Sequence, residues 1–245
     1  YLINLNKKVL IISSENLKFQ NYFLKRSEII SNYFLTYFNN DIQYGSKYIL
    51  KRSLDIVLSI FGLFLLSPLI LFVYLYIFLI DGSPAVIKQN RVGLHGKQFN
   101  MYKFRTMYNN SHEFRDELQD LNKNDEVIFK IEDDPRIIKG AQSLRKYSLD
   151  ELPQFVNVLK GEMSIVGPRP LFEEDTKLFD KSYMRRLNVL PGITGLLQIN
   201  ERNTSEFSTW YKYDIEYIEN WSLYLDLKII FKTPLSIIKG RAKGL

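Results

Sequence analysis

Hydrophobic and polar positions along the chain fall into distinct regimes, and the most extreme is residues 56–80, 25 consecutive positions without a charge. About 20 apolar residues suffice for a helix to cross a bilayer. Ser67-Pro68 sits near the middle of this run. A proline inside a helix removes a backbone hydrogen bond and clashes with the preceding turn, so a kink is predicted there, with the Ser67 hydroxyl available to a freed carbonyl. Two arms joined by a kink can either cross the membrane or enter and return to the same face. Lys47, Lys51 and Arg52 precede the run, while Lys88, Arg91, Lys97, Lys103 and Arg105 follow it. Positive charge at both ends favours re-entry with both ends cytoplasmic.

The flanking stretches read differently. Residues 7–12 form a short buried strand, and apolar and aromatic positions over 17–38 recur at helix-like intervals. Beyond the apolar run come a turn at 81–84, a strand at 85–87, a tight loop at 93–97 and an extended segment at 98–103. The charged stretch 107–134 predicts a solvated helix and loop, and 149–159 a short helix. Residues 171–190 and 222–238 are amphipathic and basic, suited equally to a membrane interface or to a protein core. Three parts follow: an accessory or truncated segment over 1–46, a membrane-inserted helix over 47–84 and a downstream domain over 85–245. The expected fold class is α+β, with one re-entrant membrane helix, interfacial amphipathic helices and a small compact catalytic domain.

Composition narrows the chemistry. The chain of 245 residues has no cysteine and two histidines, His95 and His112, which excludes disulfides, thiolate zinc sites and cysteine nucleophiles. Its 33 Lys+Arg exceed 27 Asp+Glu to give a net charge of +6, and 24% of residues are charged, too many for a multi-span membrane protein. The phosphate-binding loop G-x-x-x-x-G-K-[ST], the dinucleotide fingerprint and the nucleophile-elbow motif are all missing. Any chemistry therefore rests on carboxylates, Lys, Arg and hydroxyls.

Lys103 and Arg105 share one face if their segment is extended, an arrangement that can line an anion site. Pro153 is tolerated in a first helical turn, which puts a helix start near Asp150 and makes that carboxylate an N-cap candidate. The same position keeps it ionised and usable as a nucleophile. Asp150 and Glu151, adjacent on a helix, point about 100° apart and so would divide labour, one attacking and one holding a divalent cation. Magnesium, which takes a few carboxylates together with substrate phosphate oxygens, suits a site without histidine or cysteine. Arg169 stands between Pro168 and Pro170, so its fork is pre-organised to grip a phosphate.

These motifs occur in a familiar order: Lys103-Phe104-Arg105-Thr106-Met107, Leu144-Arg145-Lys146, Ser148-Leu149-Asp150-Glu151-Leu152-Pro153-Gln154, Val166-Gly167-Pro168-Arg169-Pro170 and Pro191-Gly192-Ile193-Thr194-Gly195. With Lys51-Arg52-Ser53-Leu54-Asp55 and Leu225-Asp226-Leu227-Lys228, they resemble the bacterial sugar transferases, the monotopic phosphoglycosyl transferases that load polyprenol phosphate, over residues 47–245. The resemblance implies a UDP-sugar donor, a polyprenol (undecaprenyl) phosphate acceptor, a Mg²⁺ cofactor and the products UMP and polyprenyl diphosphate sugar, the first membrane step of surface glycan assembly. It implies Asp150 as nucleophile through a phosphosugar-aspartyl intermediate, Glu151 as magnesium ligand, and Lys103, Arg105, Arg145 and Arg169 facing phosphates. Ser67-Pro68 matches the family's helix break. The implied location is the bacterial inner membrane with a cytoplasmic catalytic face; the partners are substrates and lipid, with no nucleic acid and with homodimerisation left open.

The chain departs from the family pattern at Ile138, at 140–143, at Leu196-Leu197 and at Glu201, the last bearing on donor specificity. Two alternatives stand beside the main reading. One is a UDP-releasing glycosyltransferase with Asp214-x-Glu216 or 132–134 as its metal carboxylates; the other is a membrane-anchored binding module without catalysis.

Overall fold

The computed structural model describes residues 46–109, 111, 134–177, 183–201, 204 and 206–238, together with the backbone of four N-terminal strands. Those strands are β1 (Leu2–Leu5), β2 (Lys8–Ser13), β3 (Leu24–Ile30) and β4 (Tyr33–Asn39). They form an antiparallel sheet in the order β1-β2-β4-β3. The strand expected at 7–12 is β2, but the helix-like spacing over 17–38 gives β3 and β4 instead. Phe34, Leu35, Thr36, Tyr37 and Phe38 are strand formers, and β4 pairs along its length with both β2 and β3. Ladder pairing on two sides outweighs a helical periodicity carried by poor helix formers such as Asn and Ser. The predicted helix and loop over 107–134 lies largely outside the described residues.

The apolar run belongs to two helices, α1 (Ser46–Leu65) and α2 (Ser67–Asp81), bent by 62°. The cause is the expected one. Pro68 has no N–H to offer Phe64, and the Ser67 hydroxyl donates to the Phe64 carbonyl at 2.8 Å instead. Neither helix alone is long and apolar enough to cross a membrane, whereas the bent pair satisfies length and composition together.

Helix α1 is amphipathic in an inverted sense. Lys51, Asp55 and Ser59, spaced one turn apart, are buried, while Val57, Ile60, Phe61 and Phe64 are between 56% and 80% exposed. The polar stripe is what docks α1 onto the rest of the molecule. Asp55 accepts hydrogen bonds from Ser164 Oγ and Ile165 N, both at 3.0 Å. Lys51 pairs with Asp226 at 2.8 Å and donates to the Val166 carbonyl at 3.1 Å. Arg52 donates to the carbonyls of Val158 and Leu159 at 2.6 and 2.9 Å. Lys51 and Arg52, read in the sequence as interfacial charge, are therefore structural anchors.

Downstream, β5 (Val86–Val92) and β6 (Gln98–Phe104) form an antiparallel hairpin from Val86↔Phe104 to Val92↔Gln98. The strand expected at 85–87 thus extends to residue 92. Short helices α3 (Gln142–Lys146) and α4 (Gln154–Lys160) follow, with a 3₁₀ turn at Leu149–Glu151 between them. Strand β7 (Ser164–Val166) pairs in parallel with β8 (Gly192–Thr194). Helix α5 (Glu173–Lys177) and a 3₁₀ turn at Tyr183–Asn188 lie between those strands; α6 (Leu196–Asn200), α7 (Phe207–Glu219) and α8 (Leu223–Ile238) close the chain. The mixed composition is compatible with α+β.

One core cluster gathers Phe99, Met101, Val158, Met163, Ile165, Val189, Tyr217 and Ile229, with contributions from β6, α4, β7, α7 and α8. A second joins Val73 and Ile77 of α2 to Phe104, Ile138 and Ala141. Ile138 and Ala141, both departures from the family pattern, are thus core residues. Helix α8 buries Asp226 and Ser236 beside Ile229, while Tyr224, Phe231, Leu235 and Ile238 are exposed.

Candidate active site

The site is built where β6 meets the chain between α3 and α4. Asn157 of α4 accepts from Tyr102 N at 2.9 Å and donates to the Asn100 carbonyl at 2.7 Å, fixing α4 to β6. Ahead of α4 the backbone turns sharply at Ser148, whose φ of 57° is uncommon for a residue other than glycine. The 3₁₀ turn then delivers Asp150 and Glu151, both buried, to the end of β6 that carries Lys103.

This corrects the N-cap expectation. Helix α4 begins at Gln154 behind Pro153 and has no side-chain cap. The tighter turn, with Pro153 closing it, leaves Asp150 one element upstream, where its carboxylate meets a cation rather than helix N–H groups. Lys103 Nζ lies 2.8 Å from Asp150 Oδ2 and 4.0 Å from Glu151 Oε1. Arg169 lies 3.1 Å from Glu151 Oε1. Arg145 reaches Thr106 Oγ1 at 3.4 Å, and its charge acts on Lys103. Burial pulls the Lys103 ammonium below its ordinary pKa, with Arg145 and Arg169 adding to the shift while Asp150 and Glu151 oppose it.

The structure thus gathers four predicted residues, Lys103, Asp150, Glu151 and Arg169, with Arg145 beside them. Arg105 is placed elsewhere. Its guanidinium binds the carbonyls of Asp81 and Gly82 at 2.5 and 2.9 Å, the Asp81 carboxylate at 3.0 Å and Asn109 at 2.7 Å. It locks the turn between α2 and β5. Strand alternation put it on the Lys103 side, but the backbone carbonyls of that turn claimed it first.

Sequence reasoning singled out neither Arg91 nor Arg186. Arg91 stacks on the Phe172 ring at 3.3 Å and donates to the Pro170 carbonyl at 3.4 Å. Burial and the charge of Arg169 lower its pKa to about 9. Arg186 pairs with Asp214 at 2.9 Å. The only sequence signal for Arg91 was its place among the cations that follow the apolar run; Arg186 had none.

Two close backbone crossings hold the Arg169 segment. A Cβ on Gly167 would come within 2.4 Å of the Leu190 carbonyl, and one on Gly192 within 2.1 Å of Gly167 N. Only glycine permits this approach. It lets Gly167 N donate to the Thr194 carbonyl at 2.9 Å and Gly192 N to the Pro168 carbonyl at 2.8 Å.

The donor set suits a small hard cation only in part. Asp150 Oδ1 is buried with no hydrogen-bond partner, an oxygen available to a ligand. Yet among the described residues no three His, Asp or Glu side chains converge into a metal cage. Two carboxylates need phosphate oxygens or water to complete a magnesium shell, which fits a cation held jointly with substrate. The alternative Asp214-x-Glu216 pair is not a metal site: Asp214 is buried against Arg186 while Glu216 faces outward. Asp134 is bound through both oxygens by Arg136, at 2.9 and 2.6 Å. Glu201 accepts from the Tyr213 hydroxyl at 2.9 Å.

Comparison with known proteins gives a consistent set of matches. A family model described as "Bacterial sugar transferase" matches residues 46–240. "Galactosyl transferase CpsE" of Streptococcus agalactiae is 40% identical over 230 residues, 94% of this chain and 51% of that protein. "Undecaprenyl-phosphate galactose phosphotransferase" of Salmonella typhimurium is 41% identical over 207 residues, 82% of this chain and 43% of that protein. "UDP-glucose:undecaprenyl-phosphate glucose-1-phosphate transferase" of Escherichia coli is 40% identical over 205 residues, 80% of this chain and 41% of that protein. The chain spans about half the length of these relatives.

Proposed function

The chain belongs to the bacterial sugar transferase family, and from that premise we propose that it transfers a sugar 1-phosphate from a UDP-sugar to polyprenol phosphate, releasing UMP. The observation that carries the reading is the Asp150 carboxylate, buried and held by Lys103 through one oxygen while the other has no partner. Most buried carboxylate oxygens are hydrogen-bonded, and one left open beside a cation cluster is available to a phosphate or to a metal ion.

In the proposed sequence, Asp150 attacks the sugar-bearing phosphorus, forming an aspartyl O–P bond as the bond to the departing UMP oxygen breaks. A phosphate oxygen of the polyprenol carrier then attacks the same phosphorus, forming the diphosphate and returning Asp150 as carboxylate. Both attacks bring anion to anion. Lys103, Arg145 and Arg169 offset that repulsion and stabilise charge developing on the leaving group, which is worth most in a site shielded from water. Glu151, gripped by Arg169, is the proposed magnesium ligand; when bound, the ion would supply Lewis-acid neutralisation of phosphate charge. Lys103 also holds the Asp150 carboxylate in one orientation before donor arrives.

We propose further that α1 and α2 form a re-entrant membrane hairpin, with α8 lying at the interface and the catalytic domain on the cytoplasmic face. The exposed apolar stripes of α1 and α8 support this: α1 docks inward through polar side chains, and both outward stripes need an apolar surrounding. The long-chain acceptor keeps its phosphate at that interface, so the enzyme must sit there too.

The decisive experiment supplies detergent-solubilised protein with magnesium, polyprenol phosphate and a panel of UDP-sugars, and scores UMP against UDP. UMP from one donor, lost in Asp150→Asn, is expected. UDP release would instead identify a glycosyltransferase. Cysteines introduced as Tyr48→Cys and Val86→Cys should be labelled from the same side of the membrane; labelling from opposite sides would refute re-entry.

A further inference from the structure

We propose that Arg186, held by Asp214, is a positioning residue that fixes Arg169 against Glu151; this rests on the phosphoglycosyl transfer reading above. Three consecutive carbonyls of the 168–170 segment each accept a hydrogen bond. Pro168 O accepts from Gly192 N at 2.8 Å, Arg169 O from Arg186 at 2.7 Å and Pro170 O from Arg91 at 3.4 Å. The donors come from β8, from the 183–188 turn and from β5. Two of the three residues are prolines without an N–H, so the segment has a single donor and is held through its acceptors.

Of the three donors, Arg186 costs the most to place. It is a charged side chain only 4% exposed, where an apolar residue would fill the same space without desolvating a charge. Its charge is matched by Asp214 at 2.9 Å, 3% exposed. Burial lowers the Arg186 pKa and raises that of Asp214 to about 6, so each ion is held against its desolvation. A buried ion pair is seldom a net source of stability compared with apolar residues of the same volume. What an apolar pair could not supply is a donor aimed at the Arg169 carbonyl. The Arg169 guanidinium, on the same residue, meets Glu151 Oε1 at 3.1 Å. A shift of the backbone at 169 displaces that fork, and a misplacement of about 1 Å can cost on the order of 100-fold in rate.

The test replaces the pair by Arg186→Met together with Asp214→Leu, which removes the donor while keeping a filled interior. UMP release is measured for this variant in both the native and the Arg169→Ala backgrounds. A fall of about 10- to 100-fold in kcat is expected in the native background and little or none beyond the Arg169→Ala loss in the other. Equal losses in both backgrounds would make the pair merely structural and overturn the inference. Arg186→Lys, which keeps a charge for Asp214, is scored by the same cycle if the double variant does not fold. A readout independent of activity is amide exchange at Gly192, whose N–H donates to the Pro168 carbonyl of the same segment. Faster exchange in the variant is expected, and unchanged exchange overturns the proposal. If the unaltered protein releases no UMP from any donor while exchange at Gly192 still responds, the functional reading fails and the positioning role stands.

Discussion

Two lysines in this protein lie 2.8 Å from a buried carboxylate, yet the two clusters are built for opposite ends. Lys51 meets Asp226 where α1 docks. There, Trp221 Nε1 also donates to Asp226 Oδ2 at 3.1 Å, and the Tyr217 hydroxyl lies 2.9 Å from Oδ1. Both carboxylate oxygens are satisfied. Lys103 meets Asp150 at the end of β6, and there Asp150 Oδ1 has no hydrogen-bond partner. A fully satisfied buried network rigidifies, whereas one with an open valence waits for a ligand. Distance alone would not tell the structural knot from the reactive site; the accounting of lone pairs does.

The largest effect that would separate them is on turnover. Asp150→Asn should cut UMP release by on the order of 10⁴-fold or more, while the unfolding midpoint in detergent moves little. A variant that loses stability and activity together would show that the Asp150 cluster is a second knot. The reverse pattern belongs to Asp226→Asn or Lys51→Met, each of which strands a buried partner. Either should cost about 3–5 kcal/mol in denaturant unfolding, and the paired change Lys51→Met with Asp226→Leu should recover most of it.

A third effect tests why the knot exists. If the polar stripe of α1 faces protein because its other face meets lipid, Phe64→Asp should weaken membrane association by about 2.5–3.5 kcal/mol, read by partition between membrane and soluble fractions. The same exposed position facing water would tolerate aspartate with little change. The smallest effect is in pH. Because the folded site lowers the Lys103 pKa, its ammonium is lost at a pH below the ordinary lysine value, so activity should fall early on the alkaline side. In Lys103→Arg, which stays charged, that alkaline limb should move to higher pH; an unmoved limb would mean that another group titrates there.

The bend at residue 66, the extended segment that becomes β6, and the residue types of the site were all legible in the amino-acid order. Each rests on a local rule: proline lacks an N–H, alternation marks a strand, and carboxylates with arginines are what phosphate chemistry requires. Other features were not local. Arg105 and Lys103 look equivalent in the sequence, two cations on one strand face, and only the turn at 81–83 separates their fates. The 17–38 segment carries a helical spacing that loses to strand pairing, of β3 with the neighbouring β4 and of β4 with the earlier β2. Arg186 and Asp214 lie 28 positions apart and meet only because α7 folds back onto the 183–188 turn.

What the sequence by itself determined is the chemistry available and where the chain must bend. No cysteine, two histidines, the Asp150-Glu151 pair, the proline-bracketed Arg169 and the uncharged run from 56 to 80 are properties of residue type and order. What only the tertiary structure decided is which oxygens and nitrogens are already engaged. Lone-pair satisfaction depends on atoms brought together from distant elements, so Lys51, Arg105 and Asp226 became scaffold while Lys103 and Asp150 were left poised. The inward turn of the polar stripe on α1 was decided in the same way, because a stripe shows which residues share a face but not which face meets protein.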